Sequence, residues 1–154
     1  MDKNVLIEYA DMKMEIKDLR RRIDADRKEL DRLNSIVVTD SVTCGKKGKK
    51  PLRTVKIQGK PTMAIIRKNA LVNQRISKLE RLELELLELT NQVEEYIEGI
   101  PKSRLRMMFR FYYVDDLTWE MVAMKMNYAF PKKRIPYTKD SCRMAHDRFL
   151  EKVV

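Results

Sequence analysis

Turn-forming residues are scarce in this chain, which has only 4 glycines and 5 prolines among 154 residues. Sandwiches and barrels need a turn signal roughly every 8–12 residues, so the scarcity argues against both architectures. Aromatic residues make up 7% of the chain and charged residues 36%, a balance that favours long, charged helices. We therefore predict a mainly α fold, with one sizeable domain or a small domain plus an elongated one.

Long apolar runs are also missing. The chain has no run of about 18 apolar residues, and its N-terminal region becomes charged after one short apolar patch. We therefore expect neither a membrane span nor a signal peptide. The two cysteines, Cys44 and Cys142, are too few for a disulfide framework, which favours a reducing compartment. The expected location is the cytoplasm.

Residues that could assemble a catalytic or metal site are few. The single histidine, His146, lies one helical turn after Cys142, so the two side chains can come close. They provide two ligands where structural zinc takes four, and a Cys–His nucleophile needs a third, orienting group. The paired acids lie among solvent-facing positions of a charged helix: Glu83/Glu85 and Glu94/Glu95. We predict that the protein is not an enzyme and uses no cofactor and no metal.

The formal net charge of +10 is unevenly distributed along the chain. Residues 1–34 are neutral, residues 35–75 carry +9, residues 76–100 carry −5 and residues 101–154 carry +6. An unstructured polybasic chain would not show this alternation. Because the excess positive charge favours a polyanionic partner, we expect the protein to bind nucleic acid.

Two segments carry apolar residues at alternating spacings of three and four, as in a heptad repeat. The first predicts a helix over about 3–34, with Asp26 interrupting the seam: Val5, Tyr9, Met12, Ile16, Leu19, Ile23, Leu30 and Leu33. The second predicts a helix from Pro61 or Thr62 to about Gly99: Val72, Leu79, Leu82, Leu86, Leu89, Val93, Tyr96 and Ile100. These helices can pair within one chain or between chains, and the sequence does not choose.

Residues 35–61 join the two predicted helices and differ from them in composition. The β-branched runs "IVVT" and "LRTVKI" flank the turn-rich "GKKGKK". This pattern predicts a β-hairpin arm with a basic tip, or alternatively a flexible lysine-rich loop. The tip does not match the phosphate-binding loop pattern G-x-x-x-x-G-K-[ST]. Its lysines are candidates for DNA phosphate contacts, or else are solvated side chains without a ligand: Lys46, Lys47, Lys49 and Lys50.

Residues 101–154 combine shorter helices with most of the turn signals. Hydroxyl residues that can cap helices (Ser103, Thr118 and Thr138) predict three of them, over about 103–113, 118–127 and 138–152. We expect Asn127 in the left-handed position that follows the second helix. Helix, short turn, helix, connector and helix is the arrangement of a helix-turn-helix domain. We predict this domain over 101–154, after a helical region over 1–100.

The last predicted helix has two different faces. At about 100° per residue, Cys142, Ala145 and Phe149 share the inner face. The opposite face and its margins hold the predicted DNA contacts: Lys139, Asp140, Ser141, Arg143, Met144, Asp147 and Arg148. Arg143 can reach guanine and Asp147 can accept from cytosine, or the two can form only a surface ion pair. In the connector we predict phosphate contacts by Lys132, Lys133 and Arg134.

"LTWEMVAMKMN" resembles the first helix of the helix-turn-helix in region 4 of bacterial sigma factors, where the pattern is roughly Leu-[Ser/Thr]-aromatic-Glu-Glu-Ile-Ala-x-x-Leu-Gly. The matching residues are Leu117, Thr118, Trp119, Glu120, Val122, Ala123 and Met126, whereas Met121 and Asn127 depart from the pattern. "TKDSCRMAHDRFLEK" looks like the recognition helix of that family. Its matching residues are Ser141, Cys142 and Arg148.

A second resemblance covers almost the whole chain. The chain is similar to phage late-gene transcriptional regulators of the RinA and ArpU kind, which join an N-terminal helical region to a sigma-like C-terminal module. Membership would imply a phage or prophage protein in the bacterial cytoplasm that binds double-stranded DNA and activates transcription, with host RNA polymerase as a further partner. The ten-residue connector 128–137 is longer than the turn of compact members. We also expect a homodimer, because such modules commonly read half-sites as dimers.

Two other functions remain open from the sequence. Phage DNA-packaging proteins such as small terminase subunits also join a helix-turn-helix to oligomerising helices. In that group the DNA-binding module usually precedes the oligomerisation region, and the order is reversed here. A coiled-coil adaptor is disfavoured by the charge of +6 on residues 101–154.

Overall fold

The structure, a computed structural model, describes residues 3–45, 48 and 53–152 and is mainly helical, as predicted. Its elements in chain order are α1 (Asn4–Ser35), β1 (Val38–Cys44), β2 (Arg53–Gly59), α2 (Thr62–Glu98), α3 (Ser103–Phe109), a π-helical segment (Arg110–Val114), α4 (Trp119–Ala129) and α5 (Lys139–Lys152). The described residues contain one sheet, formed by β1 and β2. None of the described helices combines the length and the apolarity that crossing a membrane requires.

The length of α1 and α2 follows from the absence of helix breakers. No glycine or proline occurs before Gly45, and none occurs between Pro61 and Gly99. An uninterrupted run of good helix formers therefore extends through each helix. At the end of α1, the side chains of Asn34 and Ser35 donate hydrogen bonds of 3.0 and 2.7 Å to carbonyl oxygens of the last turns. The β-branched residues that follow favour the change to a strand.

The arm is a two-stranded antiparallel hairpin, which confirms the hairpin prediction. Its register runs from Val38 opposite Gly59 to Cys44 opposite Arg53, and every strand residue is exposed. Because side chains alternate between faces, one face is largely apolar and the other polar. The apolar face carries Val38, Val42, Val55 and Ile57. The tip lysines Lys46, Lys47, Lys49 and Lys50 lie outside the described residues.

By its contacts the chain divides into two compact units. The arm unit is Ile16–Arg81, and the C-terminal unit is Met1–Glu15 together with Leu82–Val154. Each long helix therefore contributes one part to each unit. The predicted division at residue 100, between a helical region and a helix-turn-helix domain, stays a prediction.

In the arm unit, α1 and α2 contact each other within one chain. Asp26 of α1 is only 6% exposed, and its Oδ1 lies 2.8 Å from the Nζ of Lys68 on α2. Its other carboxylate oxygen accepts a hydrogen bond from Arg75 of α2. The hydrogen bonds from Lys68 and Arg75 lower the pKa of Asp26 despite its burial. The polar interruption in the apolar seam is therefore satisfied by two cations.

The C-terminal unit has two apolar cores. The first joins the start of α1, the end of α2 and the α3 region: Leu6, Tyr9, Val93, Tyr96, Ile97, Ile100, Phe109 and Tyr113. The second joins α3, α4 and α5: Met108, Val122, Ala123, Met126 and Cys142. The two cores hold α5 from both sides, since Phe149 packs on the first and Ala145 on the second.

The starts of the short helices agree only partly with the predicted caps. The cap position of α3 is occupied by Lys102, so the prediction that Ser103 caps this helix is wrong. Thr118 occupies the cap position of α4 as predicted, but its side chain makes no capping hydrogen bond.

The end of α4 also differs from the prediction. Helix α4 continues past Asn127, so the prediction of a left-handed residue there is wrong. Among the non-glycine residues that the structure describes, the one with positive φ is Asp116 at 56°, in the turn before α4. Aspartate tolerates this conformation because its short polar side chain can bond to the local backbone.

Candidate nucleic-acid interface

Helix α5 starts with a reciprocal cap. The backbone N–H of Ser141 donates to Thr138 Oγ1 at 3.2 Å, and the N–H of Thr138 donates to Ser141 Oγ at 2.9 Å. This is the geometry of a capping box with serine in the third position. The Ser141 hydroxyl also donates to the Thr138 carbonyl oxygen at 2.9 Å. Ser141, a predicted DNA contact, is exposed, but its hydroxyl already takes part in the cap. One lone pair of the Ser141 oxygen remains available to another partner.

The inner face of α5 contains the Cys142 and His146 pair. Cys142 is fully buried and His146 is 7% exposed, so neither is placed at the helix surface. Burial raises the pKa of the Cys142 thiol, which keeps it protonated and unreactive. His146 directs its two ring nitrogens to Tyr113 and Asp147. Within the described part of the chain, no group of three or more His, Cys, Asp and Glu residues is placed to hold a metal ion.

Tyr113, His146 and Asp147 form a hydrogen-bonded chain from the core to the surface. The Tyr113 hydroxyl lies 2.8 Å from His146 Nε2, and His146 Nδ1 lies 2.8 Å from Asp147 Oδ1. Because the carboxylate can only accept, Nδ1 carries the proton and Nε2 accepts from the phenol. Burial lowers the pKa of His146, although Asp147 opposes this effect, and burial raises the pKa of Tyr113. The neutral imidazole therefore fits this site at neutral pH.

Aromatic rings enclose the imidazole of His146. The ring centroid of Phe109 lies 4.8 Å away and that of Trp119 lies 5.1 Å away. Trp119 in turn stacks on Tyr112 with a centroid distance of 4.0 Å and an interplanar angle of 12°. The π-helical segment carries both tyrosines of this cluster. The cluster fixes the rotation of α5 about its axis, and hence the direction of its outer face.

The outer face of α5 presents Asp140, Arg143 and Met144 to solvent. Within the described residues, Arg143 forms no ion pair. The predicted alternative was a surface pair with Asp147, four residues later. Asp147 instead bonds to His146, so the Arg143 guanidinium keeps its five donors available. The carboxylate that Asp147 could offer to cytosine is already engaged at one oxygen.

Lys139 lies at the start of the same face and has a partner that the sequence did not reveal. Its Nζ is 2.6 Å from Glu120 Oε1 of α4, and both side chains are exposed. The bond with Glu120 raises the pKa of Lys139, and the bond with Lys139 lowers the pKa of Glu120. Exposed pairs of this kind are weak, so a phosphate can compete for the lysine.

The connector between α4 and α5 is held by Asn127. Its amide donates to the Tyr137 carbonyl at 2.8 Å and accepts from the Tyr137 N–H at 2.6 Å. These two bonds tie the last turns of α4 to the end of the connector, ten residues later in the chain. Lys133 lies over the Tyr137 ring at 3.4 Å, whereas Lys132 is exposed.

The remaining predicted contacts fall in two places. Arg134 is exposed in the connector, two residues after Lys132. Arg148 is exposed on α5 but lines a groove of about 490 Å³ with Phe149, Lys152 and α3 residues, away from Arg143. The structure thus places Lys139, Asp140, Arg143, Met144 and Asp147 on the outer side of α5, and Arg148 at its margin, one turn after Met144 and beside the groove. Sequence reasoning missed the contacts that Glu120, Tyr113 and Asn127 make with distant parts of the chain, and these contacts position this face.

Comparisons of the chain with protein-family models, curated proteins and solved structures produced no match.

Proposed function

We propose that the protein is a sequence-specific, double-stranded DNA-binding transcriptional regulator, with α5 as its recognition helix in the major groove. The observation that supports this most directly is the exposed Arg143 without an ion pair among the described residues, on a helix anchored by Cys142 and His146. A helix with its side chains is about 10–12 Å wide and the major groove about 12 Å, so α5 can enter it.

In this proposal Arg143 reads a base and the basic residues around it position the helix. The guanidinium can make two parallel bonds to guanine O6 and N7. Lys139, Lys132 and Arg134 would contact phosphates, which bind without regard to sequence. In the proposal, helices α4 and α5 with their long connector form the helix-turn-helix. The bond between His146 and Asp147 engages a carboxylate that could otherwise pair with Arg143.

The biological setting is proposed from the sequence resemblance. Residues 103–152 resemble sigma factor region 4, and nearly the whole chain resembles phage late-gene regulators of the RinA and ArpU kind. We propose a phage or prophage regulator that activates transcription next to host RNA polymerase. The long helices would then serve oligomerisation or polymerase contact.

Selection of duplexes from a random pool, followed by footprinting upstream of the neighbouring genes, tests the proposal. The wild type should enrich a defined motif. Arg143→Ala should lose the preference at one base pair, worth about 1–3 kcal/mol, while non-specific binding changes little. Arg143→Lys should recover only part of the preference, because lysine lacks the planar fork.

Arg27→Ala is the matched control, since it removes the same charge from an exposed residue of α1. It should leave the selected motif unchanged. A wild type that enriches no motif, or an Arg143→Ala variant with an unaltered motif, would contradict the recognition-helix assignment. A ring of eight or more subunits in light scattering would favour a packaging protein instead.

A further inference from the structure

A groove of about 490 Å³ in the C-terminal unit has an apolar floor and a basic rim. Its floor includes Leu105 and Met108 of α3 and Ala145 and Phe149 of α5. All charged residues that line it are basic: Lys102, Arg104, Arg148 and Lys152. A ligand that satisfies both parts must combine apolar side chains with negative charge, as an acidic amphipathic helix does.

This groove is not part of the face proposed to read DNA. Its residues on α5 follow the spacing of one helical stripe: Ala145, Arg148, Phe149 and Lys152. At about 100° per residue, this stripe lies roughly 160° around the helix from Asp140, Arg143 and Asp147. The groove can therefore be occupied while the outer face of α5 is free.

The same chain displays a surface with the complementary chemistry. Leu84 and Leu87 of α2 are 68% and 61% exposed, although neighbouring residues of the helix pack into the core. Between residues 82 and 98 the sequence holds six acidic residues and no basic one. One exposed stripe of α2, here named the acidic strip, contains Leu84, Leu87, Glu88, Asn91, Glu95 and Glu98.

We propose that the acidic strip of one copy docks in the basic groove of a second copy, and that the reciprocal contact closes a dimer. Leu84 and Leu87, three residues apart on one face, fit an apolar floor between two helices. Glu88 and Glu95 would meet the basic rim. One helix in one groove is smaller than a standard protein interface, so two reciprocal contacts are needed for a stable dimer. This association requires no DNA and does not depend on the proposed function.

Charge exchange between the two surfaces tests the proposal by analytical ultracentrifugation of the full chain without DNA. The groove variant is Lys102→Glu with Lys152→Glu, and the strip variant is Glu88→Lys with Glu95→Lys. The wild type should be a dimer. Each variant alone should dimerise roughly tenfold more weakly or worse, because like charges then face each other. An equimolar mixture should form a heterodimer, because opposite charges face each other in both of its contacts: one contact is the native one and the other has both charges exchanged.

Arg134→Glu with Lys132→Glu is the control, as it makes the same charge change in the connector, outside the groove. This variant should remain dimeric, and circular dichroism should show that all variants fold. A wild type that is monomeric at every concentration, a dimer that survives both variants, or a mixture that forms no heterodimer would each overturn the proposal. Any of these results would leave the DNA-binding test with Arg143→Ala unaffected.

Discussion

Replacement of Tyr113 by phenylalanine tests whether the buried hydrogen-bonded chain holds α5. The substitution removes the hydroxyl that lies 2.8 Å from His146 Nε2 and keeps the ring. Tyr113 is 9% exposed and His146 7%, so water cannot easily replace the lost donor. A buried acceptor left without a partner costs about 1–3 kcal/mol, and we expect the free energy of unfolding to fall by this amount.

The wild type should also show a pH dependence that comes from His146. Burial lowers the pKa of His146 below 6.5 in the folded chain, so the unfolded chain binds more protons in the range between the two pKa values. The free energy of unfolding therefore decreases as the pH falls from about 7 towards 5, by at most about 1.4 kcal/mol per pH unit. Because the chain has one histidine, its single imidazole resonance can be titrated directly.

Urea unfolding monitored by circular dichroism measures both effects. Tyr128→Phe is the matched control, because Tyr128 is 90% exposed and loses the same atom. This control should change the free energy of unfolding very little. Equal losses in the two variants, or a His146 pKa at or above 6.5, would refute the reasoning about the buried chain.

Substitutions at three further positions test single contacts. Asp26→Asn should lower stability at neutral pH, because Lys68 loses its carboxylate partner. The difference from the wild type should shrink as the pH falls below about 4 in acid unfolding, since the pKa of Asp26 is lowered in the folded state. Asn127→Ala should make the connector sensitive to trypsin, whereas Asn127→Asp, which keeps the acceptor for the Tyr137 N–H, should protect it partly. Thr138→Val should cost about 1 kcal/mol in thermal unfolding and Thr138→Ser much less, because serine retains the capping oxygen.

The two strands of the hairpin were predictable from the residues within and next to them, but their exposure to solvent was not. Two β-branched runs around a glycine–lysine centre predicted both strands, and both strands are present between α1 and α2. The pairing of residues next to a turn is local, so composition and turn signals are sufficient to anticipate it. The same signals did not indicate that every strand residue would be exposed.

The sequence predicted which residues of α5 face outward, but not which partners those residues contact. Helical spacing placed Cys142 inside and Arg143 outside, and the burial of each agrees with that prediction. The engagement of Asp147 by His146 and of Lys139 by Glu120 was not predictable. A helical wheel gives the direction of a side chain and contains no information about partners from other helices.

By itself, the sequence determined the mainly helical architecture, the two long helices, the hairpin arm and the basic character of the C-terminal part. These properties depend on the absence of helix breakers, on periodicity and on composition, which can be evaluated from the residues of each segment without its tertiary contacts. The tertiary structure alone decided that Asp26 meets Lys68, that Asn127 closes the connector and that Tyr113 binds His146. Residues that are distant in the chain meet only when the cores pack, because the packing of whole helices sets those distances.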